Sequence, residues 1–153
     1  MPDFYADSML GKLSRFLRFF GYDTLYRSKE SIEDMIKSSS ENNRIVLSRS
    51  EEIVDKCTKL NVVAVFILTN DIVQQLKYLR EQLDLDLSVP PHSARCSICN
   101  GRLHEKKKHD ILDLIPTGTA QHYDKFWSCT ECGKIYWVGS HWKDIERLVE
   151  NTR

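Results

Sequence analysis

Phe4-Tyr5-Ala6-Asp7-Ser8-Met9-Leu10-Gly11-Lys12-Leu13-Ser14-Arg15-Phe16-Leu17-Arg18-Phe19-Phe20-Gly21 reads as a strand, an acid and a helix in succession. Phe4-Tyr5-Ala6 is short and apolar, as a buried strand requires. From about Ser8 to Phe20, apolar Met9, Leu10, Leu13, Phe16, Leu17 and Phe20 recur every three or four positions, which predicts a helix with one buried face. Gly21 supplies its stop. The unit then repeats. Thr24-Leu25-Tyr26 is a second strand, and Ser31 with Asp34 opens a helix through about Ser40 as a capping box. Ile45-Val46-Leu47, a helix from Glu51 to about Leu60, a strand from Val62 to Leu68 and a helix from Ile72 to Leu83 complete the series. The order β-α-β-α-β-α-β-α predicts an α/β fold, a parallel sheet flanked by helices on both faces as three α/β/α layers.

That layout assigns positions to chemistry. Open parallel sheets bind ligands beyond the carboxyl ends of their strands. Asp7 follows the first strand, Ser48-Arg49-Ser50 the third and Thr69-Asn70-Asp71 the fourth, with no glycine-rich phosphate loop after the first. Carboxylates clustered at such an edge suit Mg²⁺ or Mn²⁺ and, through them, phosphodiester cleavage. Asp7 and Asp71 equally suit the caps of the helices that follow them, and one carboxylate can serve both roles. Lys12, Arg15 and Arg18, three residues apart, form a basic stripe beside Asp7, either solvated or facing nucleic-acid phosphates.

The chain has 153 residues, with 22 Lys and Arg against 22 Asp and Glu. This length fits one compact domain with a small appendage. Neutrality excludes a uniformly basic coat or an acidic tail, so a charged partner must be met by a local patch. No apolar run approaches the roughly 18 residues of a membrane helix, and the N-terminal residues lack a signal-peptide pattern. A cytoplasmic protein with no membrane partner is expected. Pro90-Pro91 forces an extended connection, and a boundary there separates 1–90 from 91–153.

Four of the five cysteines form two knuckles, Cys96-Ser97-Ile98-Cys99 and Cys129-Thr130-Glu131-Cys132. Two residues between thiolates let both sulfurs curl around one ion, and Asn100 and Gly133 tolerate the positive φ that such a turn needs. The pattern predicts a closed four-thiolate site for structural zinc, against the alternative of two redox pairs. Cys57, in an apolar-periodic segment, reads as a buried hydrophobe. Between the knuckles, Lys106-Lys107-Lys108 is a basic run, either a nucleic-acid contact or a solvated loop. The aromatic pairs Phe126-Trp127 and Tyr136-Trp137 are expected to pack a small ribbon core, and a final helix carrying Ile145, Leu148 and Val149 to dock the ribbon onto the first domain.

Asp7-Ser8-Met9-Leu10-Gly11-Lys12-Leu13-Ser14-Arg15-Phe16-Leu17-Arg18, Gly21-Tyr22-Asp23, Arg44-Ile45-Val46-Leu47-Ser48-Arg49, the two knuckles and Tyr136-Trp137-Val138-Gly139-Ser140-His141-Trp142 together resemble the Mut7-C RNase family over essentially the whole chain. The resemblance implies a PIN-like nuclease domain, residues 1–90, with a C-terminal zinc ribbon and helix, residues 91–153. It also implies metal-dependent hydrolysis of RNA. Carried over, Asp7 matches the acid after the first strand and Asp71 the last acid. Ile32 falls where an acid is usual, with Glu33 or Asp34 as its replacement. Lys12, Arg15, Arg18, Arg49 and Lys106, Lys107 and Lys108 are the candidate RNA contacts. Where the family has Thr-Arg-Asp this chain has Ser48-Arg49-Ser50, and the missing carboxylate at Ser50 gives an alternative, a catalytically impaired RNA-binding or adaptor module.

Overall fold

The computed structural model describes residues 1–88 and 93–153, so the expected boundary at Pro90-Pro91 lies outside the described residues. The first segment runs β1 (Phe4–Ala6), α1 (Gly11–Phe19), β2 (Thr24–Tyr26), α2 (Ile32–Glu41), β3 (Ile45–Ser48), α3 (Glu51–Lys59), β4 (Ala64–Phe66) and α4 (Ile72–Leu83). All four strands are parallel, in the order β2-β1-β3-β4. Successive strand residues point to opposite faces. Phe4 and Ala6 join Leu13 and Leu17 of α1 and Leu76 and Leu79 of α4. Tyr5 and Val46 turn the other way, onto Met35 and Ile36 of α2 and Ile53 and Cys57 of α3. Strands buried on both faces read as unbroken apolar runs, and the three α/β/α layers follow.

One expected boundary is corrected. The first helix starts at Gly11, because Asp7 holds the intervening turn: its Oδ1 accepts the Met9 N–H at 2.9 Å and its carbonyl the Leu10 N–H at 3.0 Å. Met9, expected on the buried helix face, is thereby outside the helix and 66% exposed. The other three helices of this segment start on side-chain caps. Ser31 Oγ accepts from Asp34 N, Ser50 Oγ from Ile53 N and Asp71 Oδ1 from Gln74 N.

The second segment is an antiparallel sheet of β5 (Leu103–Lys106), β6 (Phe126–Cys129) and β7 (Ile135–Tyr136), followed by α6 (Ser140–Glu150). Between β5 and β6 lie two 3-10 turns and the short α5 (Thr117–His122), which enclose a minor core of Ile111, Ile115 and Phe126. Trp142 and Ile145 of α6 are buried, and Trp142 packs edge-on against Phe19 of α1 with ring centres 5.9 Å apart. Ala94, Trp127, Tyr136, Trp142 and Ile145 belong to the same apolar cluster as Phe4, Leu17 and Leu76. The ribbon therefore shares the core of the α/β sheet. Among the described residues no helix is long and apolar enough to cross a membrane.

Candidate functional site

The chain leaves β1 for β2 on one side and then crosses to β3 on the other, so the crevice at the carboxyl ends of β1 and β3 is the topological switch point. Asp7 occupies it, 5% exposed. Its backbone N–H donates to Leu47 across the β1–β3 seam. Its Oδ2 accepts from Ser48 Oγ at 2.5 Å and from the Arg49 N–H at 3.2 Å. With the Met9 N–H on Oδ1, three donors converge on one carboxylate. Ser48 Oγ also accepts from the Ser50 N–H, so the turn after β3 is built around this acid. A charge-assisted set of this kind fixes the orientation of Asp7 while one edge faces a small cavity of about 50 Å³.

The acid that shares this cavity is Glu30. The Tyr5 hydroxyl donates to Glu30 Oε2, and Arg27 Nη1 lies 3.4 Å from the same oxygen. Burial, together with the hydrogen bond and charge of Glu30, pushes the Tyr5 hydroxyl well above its ordinary value, so it stays a neutral donor. Glu33 points elsewhere: it is exposed, 3.9 Å from Lys56 Nζ, and lines a groove between α2 and α3. Asp34 is exposed on the first turn of α2. Asp71 is exposed and caps α4 beyond β4, outside the Asp7 cavity. Ser50, whose hydroxyl accepts from Ile53 N, caps α3. Among the described residues no three carboxylates come together as a cation site. Glu30 escaped the sequence reading because it precedes the helix. The signal available was its place directly before the Ser31 cap, two residues from the apolar Ile32.

The four sulfurs of Cys96, Cys99, Cys129 and Cys132 lie within 4.8 Å of one another. Cys96 and Cys132 are 3.6 Å apart and Cys99 and Cys129 3.4 Å. Sulfurs about 2.3 Å from a tetrahedral ion would sit roughly 3.8 Å apart, so the cluster can hold a metal such as zinc. The knuckles are built alike. Cys96 N donates to Gly101 O and Asn100 N to Cys96 O; Cys129 N donates to Lys134 O and Gly133 N to Cys129 O. Asn100 and Gly133 have φ of 70° and 78°, the left-handed residues expected after each pair. At Gly101 any Cβ would lie 2.7 Å from Cys129 Sγ, so the ribbon closes on glycine there. Burial pushes the Cys96 thiol up, but the Tyr136 hydroxyl and the Cys99 and Ile98 amides outweigh it and bring it to about 7. Partial burial and the crowding of Cys129, Cys132 and Cys96 push Cys99 up to about 12. Because a ligating thiol binds metal as the thiolate, metal binding at this cluster would release protons.

Arg18 is not part of an outward stripe, which corrects the expectation that it contacts RNA. It is 5% exposed, with Nε donating to Thr24 O and Nη1 to Ser97 O, each at 2.9 Å. Burial draws its pKa below the ordinary arginine value, while the neighbouring Cys96, Cys99 and Asp23 side chains favour its charge. Asp23 in turn accepts from Arg44 Nη1 at 2.8 Å and from Asn100 Nδ2 at 2.7 Å, and these partners hold its carboxyl below the usual range against burial. The first knuckle is thus latched to α1 and β2. Replacing Arg18 by Leu is expected to cost about 2–4 kcal/mol, because two buried carbonyls lose a charged donor, with Arg18→Lys recovering less than half for want of the planar fork. Urea unfolding of the metal-loaded protein measures it; a change under about 0.5 kcal/mol would refute the latch.

Lys12 and Arg15 are exposed on α1. Arg49 bridges the strand-end loops, Nη2 reaching Leu68 O at 3.4 Å, with its buried Nε lacking a hydrogen-bond partner among the described residues. Lys106 and Lys107 are exposed, while Lys108 pairs with Asp124 at 3.3 Å. No curated protein and no solved structure gives a significant match. The model of the Mut7-C RNAse domain matches residues 2–149, which takes in the Asp7 edge and all four cysteines. A ribonuclease-type function and an RNA substrate are what that family indicates. Because a single family model spans both the α/β sheet and the ribbon that share one core, the chain belongs to the Mut7-C RNAse domain family.

Proposed function

We propose that the protein is a metal-dependent ribonuclease that hydrolyses RNA phosphodiester bonds at the carboxyl edge of β1 and β3, with zinc in the cysteine cluster as a structural ion. The observation that carries this reading is Asp7, a buried carboxylate held by three donors at the switch point and open to a cavity that Glu30 also lines. Two carboxylates suffice as a donor set, since Mg²⁺ keeps several waters and takes one or two protein carboxylates. A bound Mg²⁺ or Mn²⁺ supplies Lewis-acid stabilisation of the charge that builds on the scissile phosphate. Asp7 and Glu30 would hold that ion, Ser48 and the Arg49 amide keep Asp7 oriented, and Arg49 would receive the phosphate. Asp71 lies further along the same sheet edge as a supporting acid. Residues 1–90 form the nuclease domain, residues 91–153 the ribbon, and the protein works in the cytoplasm.

A second reading, an RNA-binding module without catalysis, is favoured by Ser50, which caps α3 with a neutral hydroxyl in place of a carboxylate. Cleavage of a labelled single-stranded RNA with Mn²⁺ or Mg²⁺ separates the two. The ribonuclease reading expects turnover by the native protein that disappears without divalent cation. No turnover by the native protein, with activity appearing in Ser50→Asp, would sink it in favour of the module.

A further inference from the structure

The ribbon and α1 together enclose a cleft of about 330 Å³ whose walls include Lys12, Arg15 and Phe16 from α1, Ile98 from the first knuckle, and Lys134 and His141 from the second half of the ribbon. Among the described residues no carboxylate lines it. Lys12, Arg15 and Lys134 are all exposed, and among the described residues none of them forms an ion pair. In a chain of zero net charge this is a local concentration of unpaired cations, which focuses positive potential between low-dielectric walls. Two of its members are pinned. Lys134 Nζ lies over the Tyr136 ring, 5.2 Å from its centre, and His141 packs edge-on against Phe19 with ring centres 5.6 Å apart. Two of the other basic residues are less free. Arg18 is spent on backbone carbonyls, and Lys108 is neutralised by Asp124.

Position gives the cleft a direction. Lys12 lies in the first turn of α1, directly after the turn that Asp7 holds, and Arg15 follows about 4.5 Å further along the helix axis at 1.5 Å per residue. The row of cations therefore leads from the acidic sheet edge to the ribbon. We infer that this cleft between α1 and the ribbon binds the phosphate backbone of single-stranded RNA, with Lys12, Arg15 and Lys134 as phosphate contacts and His141 and Phe16 as faces for unstacked bases. Positive grooves flanked by aromatic faces are the means by which single strands are held without sequence preference. The inference rests on RNA being the substrate, and adds that the ribbon contributes half of the binding surface.

The test is fluorescence anisotropy of a fluorescein-labelled single-stranded RNA with the metal-loaded full chain, in an Asp7→Asn background so that the probe stays intact. Lys12→Glu/Arg15→Glu/Lys134→Glu is expected to weaken binding at least about 30-fold at low salt and to flatten the logarithmic salt slope by about 2, since each single-strand phosphate contact contributes about 0.7. Lys134→Glu alone is expected to weaken binding about 5-fold, which a site confined to α1 would not show. Lys106→Glu/Lys107→Glu, at the far end of β5, is expected to change affinity less than about 3-fold. Thermal melting confirms that these exposed substitutions leave the fold intact. Binding by the triple variant equal to that of its parent would overturn the cleft while leaving the ribonuclease reading standing. A parent that binds no RNA at low salt would overturn both.

Discussion

Stripping the metal from the cysteine cluster, or replacing Cys129 by Ser, is expected to unfold the ribbon and to lower the melting temperature of the whole chain by about 10 °C or more. Structural zinc contributes on the order of 10 kcal/mol in small domains that cannot close without it. A loss of even half that, at roughly 2–4 °C per kcal/mol for a chain of this size, gives the stated shift. All three tryptophans, Trp127, Trp137 and Trp142, lie in the ribbon and α6, so a red shift of tryptophan emission reports on that segment and its contact with α1. The damage is expected to spread. Phe19 and Tyr22 of the first segment are buried in the same cluster as Trp127 and Trp142. Metal affinity should also fall as pH falls, because each ligating thiol must lose its proton to bind. Chelation that leaves both emission and melting unchanged would refute the structural role.

Asp7→Asn is expected to reduce metal-dependent RNA cleavage by at least about 100-fold while the protein remains folded. The loss has two parts. An amide removes the anion proposed to hold the divalent ion, and its NH2 group would confront the Arg49 N–H that now donates to Oδ2. The Ser48 hydroxyl can rotate to accept, but the amide of Arg49 cannot, so about 1–2 kcal/mol of stability should go with the activity. Initial rates and a urea unfolding curve on the same preparation separate the two effects. Cleavage within about 3-fold of the native rate would remove Asp7 from the catalytic site.

The α/β layout was legible because strands buried on both faces leave continuous apolar runs and helices leave a three-to-four period. Phe4-Tyr5-Ala6 and the run from Ile72 to Leu83 match β1 and α4 residue for residue. The knuckles were legible for a covalent reason, since ligand spacing and the left-handed positions of Asn100 and Gly133 are both local. What the sequence did not disclose is longer-range. Arg18 sits in the same period as Lys12 and Arg15, yet a helix turns by about 100° per residue, so the six steps from Lys12 carry it from the exposed side to the buried one against Ser97. Glu30 joins Asp7 only because β1 and β2 are adjacent in the sheet, and Lys134 joins Arg15 only because the ribbon packs on α1. The elements of the insertion between β5 and β6 carry no strong period, and Ile111 and Ile115 gain meaning only through Phe126.

The packing of Trp142 on Phe19 joins residues 123 positions apart in the chain. At roughly 5–20 residues per second, translation would present α1 about 6–25 seconds before α6 exists to cover it. During biosynthesis the nascent α/β segment must wait with an aromatic face of α1 open to water, so its maturation is tied to synthesis of the segment that carries Trp142.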